Sequence, residues 1–440
     1  MQVINKLGFL LLAVLLIGAC KKEKSDSSAP VIEIVEPGHL SFYFSVDTII
    51  ISALISDDQK IKSVSARLIN DQSIVFGTFS EMYPMTLSYE YNSVLELDRP
   101  DMLSGNYFIE FSASDGVNVK KTFREIFINE VPLEIKSKYV SSGGINNQDV
   151  SEFSTEGLDL QSSQIGDVSA LYANSLRDQL IVVTGTGGQV RAFEYPEFDL
   201  KWSYDIENNT PFRSITASSF NQESQHVLLG DSDGFMRVLN NNGNVILGFS
   251  SDQTLFKPVN GLLTNSMIYF VEKRLDGSDQ NFNAYFLSSG VLNLRLNLNG
   301  NVVSLFEDRS SVSIEDHDEV VLFINSPAGP ELRVYDRPSG GFSIPINLPA
   351  GVINSACKIS RHRYVFQINN TVYHYTFSGP LQIYLEGSEN ISGMEYDKFN
   401  NRLVCVTPTG IRSYSLQGGF QSVEFVPVSM PRYTALLYNR

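Results

Sequence analysis

From about residue 30 onward the chain alternates apolar and polar positions in short runs, broken by clusters of Gly, Asn, Asp and Ser. A period of two predicts strands rather than helices. Thr48-Ile49-Ile50-Ile51-Ser52-Ala53-Leu54-Ile55 reads as a strand, and Ser56-Asp57-Asp58-Gln59 as the turn after it. Ile61 to Ile69 reads as a second strand, and Tyr107 to Ala113 with Val119 to Ile128 as a hairpin turning at Asp115-Gly116. Short strands at this spacing over residues 30–130 predict a β-sandwich. Val131-Pro132 then marks a junction, because proline has no N–H to give a sheet ladder.

From about Leu133 to the end one unit recurs: an apolar strand, a tight Gly/Asn/Asp turn, then a strand of the form apolar-Arg-x-aromatic or a close variant. The second strands of the motif end at Phe193, Leu239, Phe286, Tyr335, Tyr375 and Tyr414. Their spacing averages about 44 residues, the span of a four-stranded propeller blade. Tyr433 to Asn439 echoes Ser169 to Asn174, the inner strand of the first complete unit, and Tyr139 to Gly144 echoes Val182 to Gly187. A further unit is therefore expected to draw strands from both ends of the region, which would leave no open sheet edge. The fold class expected is all-β, an N-terminal β-sandwich followed by a β-propeller over residues 131–440. Seven blades are expected, with six or eight as the alternatives.

Residues 1–19 follow another pattern. Lys6 precedes an apolar run from Leu7 to Ile17, and Gly18 and Ala19 stand immediately before Cys20. Eleven apolar residues are too few for a spanning helix, which needs roughly 20, and the small residues mark a cleavage site. Residues 20–29 begin with Cys20-Lys21-Lys22-Glu23-Lys24 and carry no bulky apolar side chain, so they read as a flexible tether. Ile17-Gly18-Ala19-Cys20 resembles the lipobox of bacterial lipoproteins. That resemblance implies cleavage after Ala19 and acylation of Cys20; an ordinary signal peptide with a chance cysteine is the alternative. Lys21 stands where an aspartate would imply retention in the inner membrane, so the resemblance implies the outer membrane. The short Lys/Glu run is similar to the surface-export signal of Bacteroidota lipoproteins, which favours the cell surface over the periplasmic face.

Cleavage before Cys20 removes one basic residue, Lys6, from 33 and leaves 49 acidic ones, a net charge of −17. Such a field repels polyanions and argues against nucleic-acid binding. Cys357 and Cys405 are too few for a disulfide framework and read as buried small hydrophobes, with one disulfide between them as the alternative.

Clusters that look chemical in isolation fall on turns of the repeat. Glu315-Asp316-His317-Asp318-Glu319 occupies the same turn as Arg177-Asp178, Ser360-Arg361-His362-Arg363 and Lys398-Phe399-Asn400-Asn401, so it reads as a solvated turn rather than a metal site. Asp231-Ser232-Asp233-Gly234 and Asp276-Gly277-Ser278-Asp279 lack the glutamate that closes a calcium loop and read as hairpin turns. Gly185-Thr186-Gly187-Gly188 has no following Lys-Ser/Thr or helix to make a phosphate loop. The five histidines are scattered. The recurring Arg191, Arg237, Arg333 and Arg412 read as structural, pairing with carboxylates between neighbouring units, rather than as a ring for an anionic ligand. No catalytic residue, metal or cofactor is assigned.

Residues 30–130 resemble the immunoglobulin-like or PKD-like modules at the start of Bacteroidota lipoproteins, without the cysteine pair and core tryptophan of antibody domains. The repeat region resembles WD40-like, YVTN-like and quinoprotein-like propellers, although it lacks Gly-His and Trp-Asp signatures. A single tryptophan, Trp202, argues against a bound quinone. Asp47-Thr48-Ile49 is similar to the Bacteroidota O-glycosylation acceptor and implies a glycan at Thr48. The function expected is a non-catalytic binding or scaffolding module, for a protein partner or a glycan, within an envelope complex such as an outer-membrane barrel machine. A propeller hydrolase or lyase acting on polysaccharide or peptide is the alternative.

Overall fold

The computed structural model describes residues 28–439 apart from 71–72, 74, 98–101, 103, 131–133, 145, 155, 207–212, 252–254, 278, 309–318, 378 and 418. The lipobox residues Ile17, Gly18, Ala19 and Cys20 lie outside the described residues, as do residues 315–318 of the acidic turn. The chain divides into two compact units, residues 1–132 and 133–440.

In the first unit β1 (Val31–Glu36), β3 (Thr48–Ile61) and β6 (Thr86–Glu96) form one sheet in the order β1-β3-β6. The second sheet has the order β2-β8-β7-β4-β5, from β2 (Ser41–Phe44), β4 (Ser63–Asn70), β5 (Val75–Thr78), β7 (Gly105–Ser114) and β8 (Val119–Asn129). Alternation along β3 sends Ile49, Ile51, Ala53 and Ile55 inward, where they share one core with Val64, Leu68, Ile109, Phe111 and Ile126 of the other sheet. The ring of Tyr91 meets Phe111 edge-on across this core, centroids 6.1 Å apart. One local expectation is corrected: Ser56 to Gln59 is no turn but the continuation of β3. Pairing with β6 shifts register between Ser56 and Ile61, so the acidic residues are absorbed in a bulge instead of reversing the chain.

Among its described residues the second unit holds seven antiparallel sheets. The first combines β9 (Ile135–Gly144), β10 (Asn147–Ser154) and β11 (Gly157–Gly166) with a strand from the far end of the chain. The next two run in chain order: β12 (Val168–Asn174), β13 (Gln179–Thr184), β14 (Gln189–Glu194) and β15 (Asp199–Asp205), then β16 (Ile215–Asn221), β17 (His226–Asp231), β18 (Phe235–Leu239) and β19 (Val245–Ser250). The fourth is β20 (Phe256–Leu263), β21 (Met267–Arg274), β22 (Gln280–Phe286) and β23 (Leu292–Leu298). In the fifth, β24 (Asn301–Glu307) and β25 (Glu319–Ser326) lead to β26 (Gly329–Asp336), which pairs with both β27 (Gly341–Phe342) and β28 (Ile346–Asn347). The sixth is β29 (Ile353–Ser360), β30 (Arg363–Ile368), β31 (Thr371–Thr376) and β32 (Gln382–Leu385). The seventh is β33 (Gly393–Asp397), β34 (Arg402–Thr407), β35 (Gly410–Ser415) and β36 (Gln421–Pro427).

The last strand, β37 (Pro431–Tyr438), pairs with β9, with Ala435 opposite Tyr139 and Leu436 opposite Lys138. That pairing supplies the first sheet with its inner strand. Each inner strand touches the next in the sequence β12, β16, β20, β24, β29, β33, β37 and back to β12, a closed ring. The strand β13, second in its sheet, is buried along its whole length and apolar through Leu180-Ile181-Val182-Val183, whereas the outer strand β15 alternates toward solvent. The cores lie between consecutive sheets. Tyr269 and Phe282 of the fourth sheet pack against Tyr335 of the fifth at 5.9 and 5.0 Å between ring centroids. The second unit is thus a β-propeller of four-stranded blades.

Candidate functional site

Ring closure brings the inner strands together, and cavities form at both of their ends. At the starts of β12, β16 and β37 a pocket is lined by Gln148, Asp167, Ser169, Thr186, Ser214 and Arg432. Its one carboxylate, Asp167, accepts the Thr186 N–H at 2.8 and 2.7 Å and serves the turn between β13 and β14. At the opposite ends a cavity of about 300 Å³ is lined by Leu171, Tyr172 and Ala173 of β12, Phe220 of β16, Glu395 and Tyr396 of β33, and Leu436 and Tyr438 of β37. Gln222, Lys398 and Ser175 complete its rim.

The walls of the second cavity are held by bonds within and between neighbouring blades. The Tyr172 and Ser218 hydroxyls lie 2.8 Å apart, and the Tyr172 ring sits 6.0 Å from Phe220. Burial pushes the Tyr172 phenol up to about 12. Tyr396 donates its hydroxyl to Asn401 at 3.0 Å, and the Tyr438 hydroxyl accepts the Lys398 N–H at 3.4 Å. The Gln222 amide nitrogen donates to the Ala173 carbonyl at 2.9 Å while its oxygen accepts the Ser175 N–H at 3.0 Å. Glu395 differs from these groups. Its Oε1 accepts the Leu436 N–H at 3.1 Å, but Oε2 is closed off from solvent without a well-formed hydrogen bond. Burial raises this carboxyl to about 7, against the opposing pull of the Leu436 N–H and the Thr434 hydroxyl. Sequence reading passed over Glu395. Its available signal was a carboxylate at mid-strand, two residues before Asp397, where the equivalent inner strands carry Tyr172 and Ser219 ahead of Asn174 and Asn221.

A second cluster was also missed. Asp308, Glu319 and His362 bring one ligand atom each within 4.8 Å of one another, a set whose donor types suit a divalent cation. Asp308 follows β24, whereas His362 lies in the turn between β29 and β30, so the cluster bridges two blades. The Asp308 carboxylate is fully buried and already engaged. It accepts the Tyr364 hydroxyl at 2.5 Å and the His362 N–H at 2.9 Å, and Lys358 Nζ lies 3.3 Å away. Those partners make it a latch between blades. Glu319 belonged to the suspected acidic turn, and the match of that turn with Ser360 to Arg363 was visible in the repeat, but not the convergence of Glu319 with His362.

The arginine series is corrected in one respect. Arg237 bonds Asp231 of its own sheet at 2.8 Å, Arg333 bonds Glu331 two residues back at 2.8 Å, and Arg191 bonds the Gln189 side chain two residues back. Arg412 reaches Glu389, in the segment entering its own sheet, at 2.8 Å. For Arg191 and Arg333 the acceptor lies along the strand because side chains at i and i+2 share a face, and for Arg237 and Arg412 it stands on the neighbouring strand β17 or in the segment entering the sheet.

The remaining candidates have structural partners. Asp231 accepts the N–H groups of Asp233 and Phe235 at 3.0 and 2.9 Å, holding its hairpin turn. Asp276 and Asp279 flank Arg274 at 3.2 and 3.5 Å. His374 is buried, stacks on Tyr384 at 4.8 Å and has its basicity lowered by burial. Cys357 and Cys405 are free thiols in one core, both pushed up by burial. Thr48 is exposed at the start of β3, next to fully buried Ile49.

No family model and no curated protein matches the chain. Solved structures similar to it share little sequence. A functionally unknown protein from Desulfotomaculum acetoxidans aligns with a TM-score of 0.51 and 10% identity over 68% of this chain and 98% of that one. The β-propeller domain of Cps50 from Myceliophteria thermophila aligns at 0.47 and 10%, over 60% and 89%. A quinonprotein alcohol dehydrogenase-like protein from Bacteroides thetaiotaomicron aligns at 0.45 and 9%, over 93% and 99%. At such identities the likeness is one of fold alone.

Proposed function

We propose that the chain is an exported lipoprotein, cleaved after Ala19 and held in the outer membrane by acyl groups on Cys20, cell-surface side favoured. In this reading residues 30–130 form an Ig-like β-sandwich that spaces a seven-bladed propeller, residues 131–440, from the membrane. The propeller is a non-catalytic platform for a protein partner or a glycan, in its most concrete form an accessory subunit of an outer-membrane barrel complex.

The observation that carries the binding reading over the hydrolase reading is the state of the carboxylates. Cleavage by paired carboxyls needs two of them facing each other about 5 to 9.5 Å apart. The cavities at the two ends of the inner strands hold one each, Asp167 and Glu395, and Asp167 is committed to a turn. Elsewhere among the described residues Asp231, Asp397 and Glu389 serve turns or arginines. In the converging Asp308–Glu319 pair Asp308 is spent on Tyr364 and the His362 N–H. Glu152, Glu156 and Asp159 line an open pocket along β10 and β11, away from the two ends of the inner strands. Pull-down of the tagged lipoprotein from native membranes in mild detergent tests the proposal. Co-purification of envelope proteins or glycan is the expected result, and recovery of the chain alone would overturn it.

A further inference from the structure

We propose that the cavity between β12, β16, β33 and β37 is a binding site for a small organic ammonium ion, a primary or substituted amine on an apolar or aromatic body. The proposal deepens the reading of the propeller as a binding module and rests on it.

The polar groups of the cavity wall are already committed. The Tyr172, Tyr396 and Tyr438 hydroxyls and the Gln222 amide bond to neighbouring strands and turns. They build the wall and leave little for a polyol, which needs many donors and acceptors at once. Glu395 is the exception: it lines the cavity, one carboxyl oxygen takes a single backbone N–H and keeps capacity to accept again, and the other is buried behind it without a well-formed hydrogen bond. Leaving a carboxyl in this state is costly unless it stays neutral or meets a donor. An ammonium group brings several N–H donors and a compensating charge.

The surroundings favour a cation. Tyr172, Phe220, Tyr396 and Tyr438 supply aromatic surface around the carboxyl, the environment in which organic cations are held. A volume of about 300 Å³ sits at the lower end of ligand pockets and suits a body of roughly ten heavy atoms. The net charge of −16 raises the local concentration of cations near any mouth. The titratable groups near Glu395 are Asp397 on its own strand, Cys357 on β29, Tyr438 on β37 and Lys398 at the exposed rim. With burial holding Glu395 near neutral pH, an entering ammonium group draws off its proton, and affinity rises with pH through that range.

Calorimetric titration of the full chain at pH 8 tests this with 2-phenylethylamine, cyclohexylamine and choline as probes, and with 2-phenylethanol and cyclohexanol as neutral counterparts. At least one amine is expected to bind tenfold or more tightly than its counterpart, and Glu395→Gln is expected to erase that preference. Absence of amine binding, equal binding of amine and alcohol, or an unchanged preference in E395Q overturns the proposal. Tighter binding of D-glucose than of any amine also overturns it. If E395Q does not fold, Ala173→Phe fills the cavity and must abolish amine binding; retained binding counts against the site. None of these outcomes depends on the membrane pull-down, so the site can fail while the scaffold reading stands.

Discussion

Tyr364 donates its hydroxyl to the buried Asp308 carboxylate at 2.5 Å, and the two residues belong to adjacent blades, Asp308 following β24 and Tyr364 standing on β30. Burial and the Asp308 charge both hold the Tyr364 phenol well above the ordinary range, so it remains a donor at every pH the fold survives. Propeller blades are joined by side-chain contacts rather than by shared ladders. A buried acceptor served from the next blade therefore fixes how the two sheets sit together.

Tyr364→Phe keeps the ring and removes the donor, leaving a buried carboxylate with fewer partners. The expected loss is about 1–3 kcal/mol, read as a lower urea midpoint with an unchanged slope. An unchanged midpoint would show that Lys358 and the His362 N–H suffice.

Arg237 and Arg412 occupy matching strands but differ in burial. The Arg237–Asp231 pair has side chains 10% and 0% exposed, and Arg412–Glu389 has 27% and 35%. Arg237→Ala strands a buried charge and is expected to cost about 3–5 kcal/mol. Arg412→Ala should cost at most about 1 kcal/mol. Equal losses in chemical denaturation would refute this reading of burial.

Glu395 sets a pH dependence whose sign follows from linkage. Its carboxyl is raised from 4.5 to about 7 in the folded chain, so between those values the folded state holds a proton that the unfolded state has released. Stability therefore falls as pH rises through that window, by roughly 3 kcal/mol in all. Half-buried His226 and buried His374, whose basicity is lowered by burial, act in the opposite sense below their usual range. The difference between the native chain and E395Q isolates the carboxyl: E395Q should gain relative stability from pH 5 to pH 8 in urea unfolding. A pH-independent difference would sink the assignment.

Gly300 adopts φ +143°, and a Cβ there would lie 2.7 Å from the Asn325 carbonyl oxygen, a backbone atom that cannot step aside. Gly300→Ala is expected to lose about 2 kcal/mol or more. Gly144 has open space around it, so Gly144→Ala should stay within about 0.5 kcal/mol of the native chain. Thermal melts of the two variants make the comparison.

Cys20→Ser is expected to abolish incorporation of labelled fatty acid and to release the protein from membranes, and protease shaving of intact cells reports the leaflet. Thr48→Ala should reduce the mass of the native protein by one glycan. Labelled fatty acid retained in C20S, or an unshifted mass in T48A, would remove the corresponding assignment.

The repeat could be read from the chain alone because strands and turns are local. Alternation marks a strand wherever it occurs, and Gly, Asn and Asp mark the turns, so the motif ends at Phe193, Leu239, Phe286, Tyr335, Tyr375 and Tyr414 all fall within third strands of their sheets. Even the pairing of β37 with β9 was announced by the likeness of residues 433–439 to another inner strand. Which side chains converge is a different matter. Arg237 turned to its own sheet, Glu319 and His362 met across a blade boundary, and Glu395 entered a cavity built by four inner strands. Those outcomes depend on the angle between successive sheets and on closure of the ring, quantities set by the packing of all the blades together and carried by no local stretch of sequence.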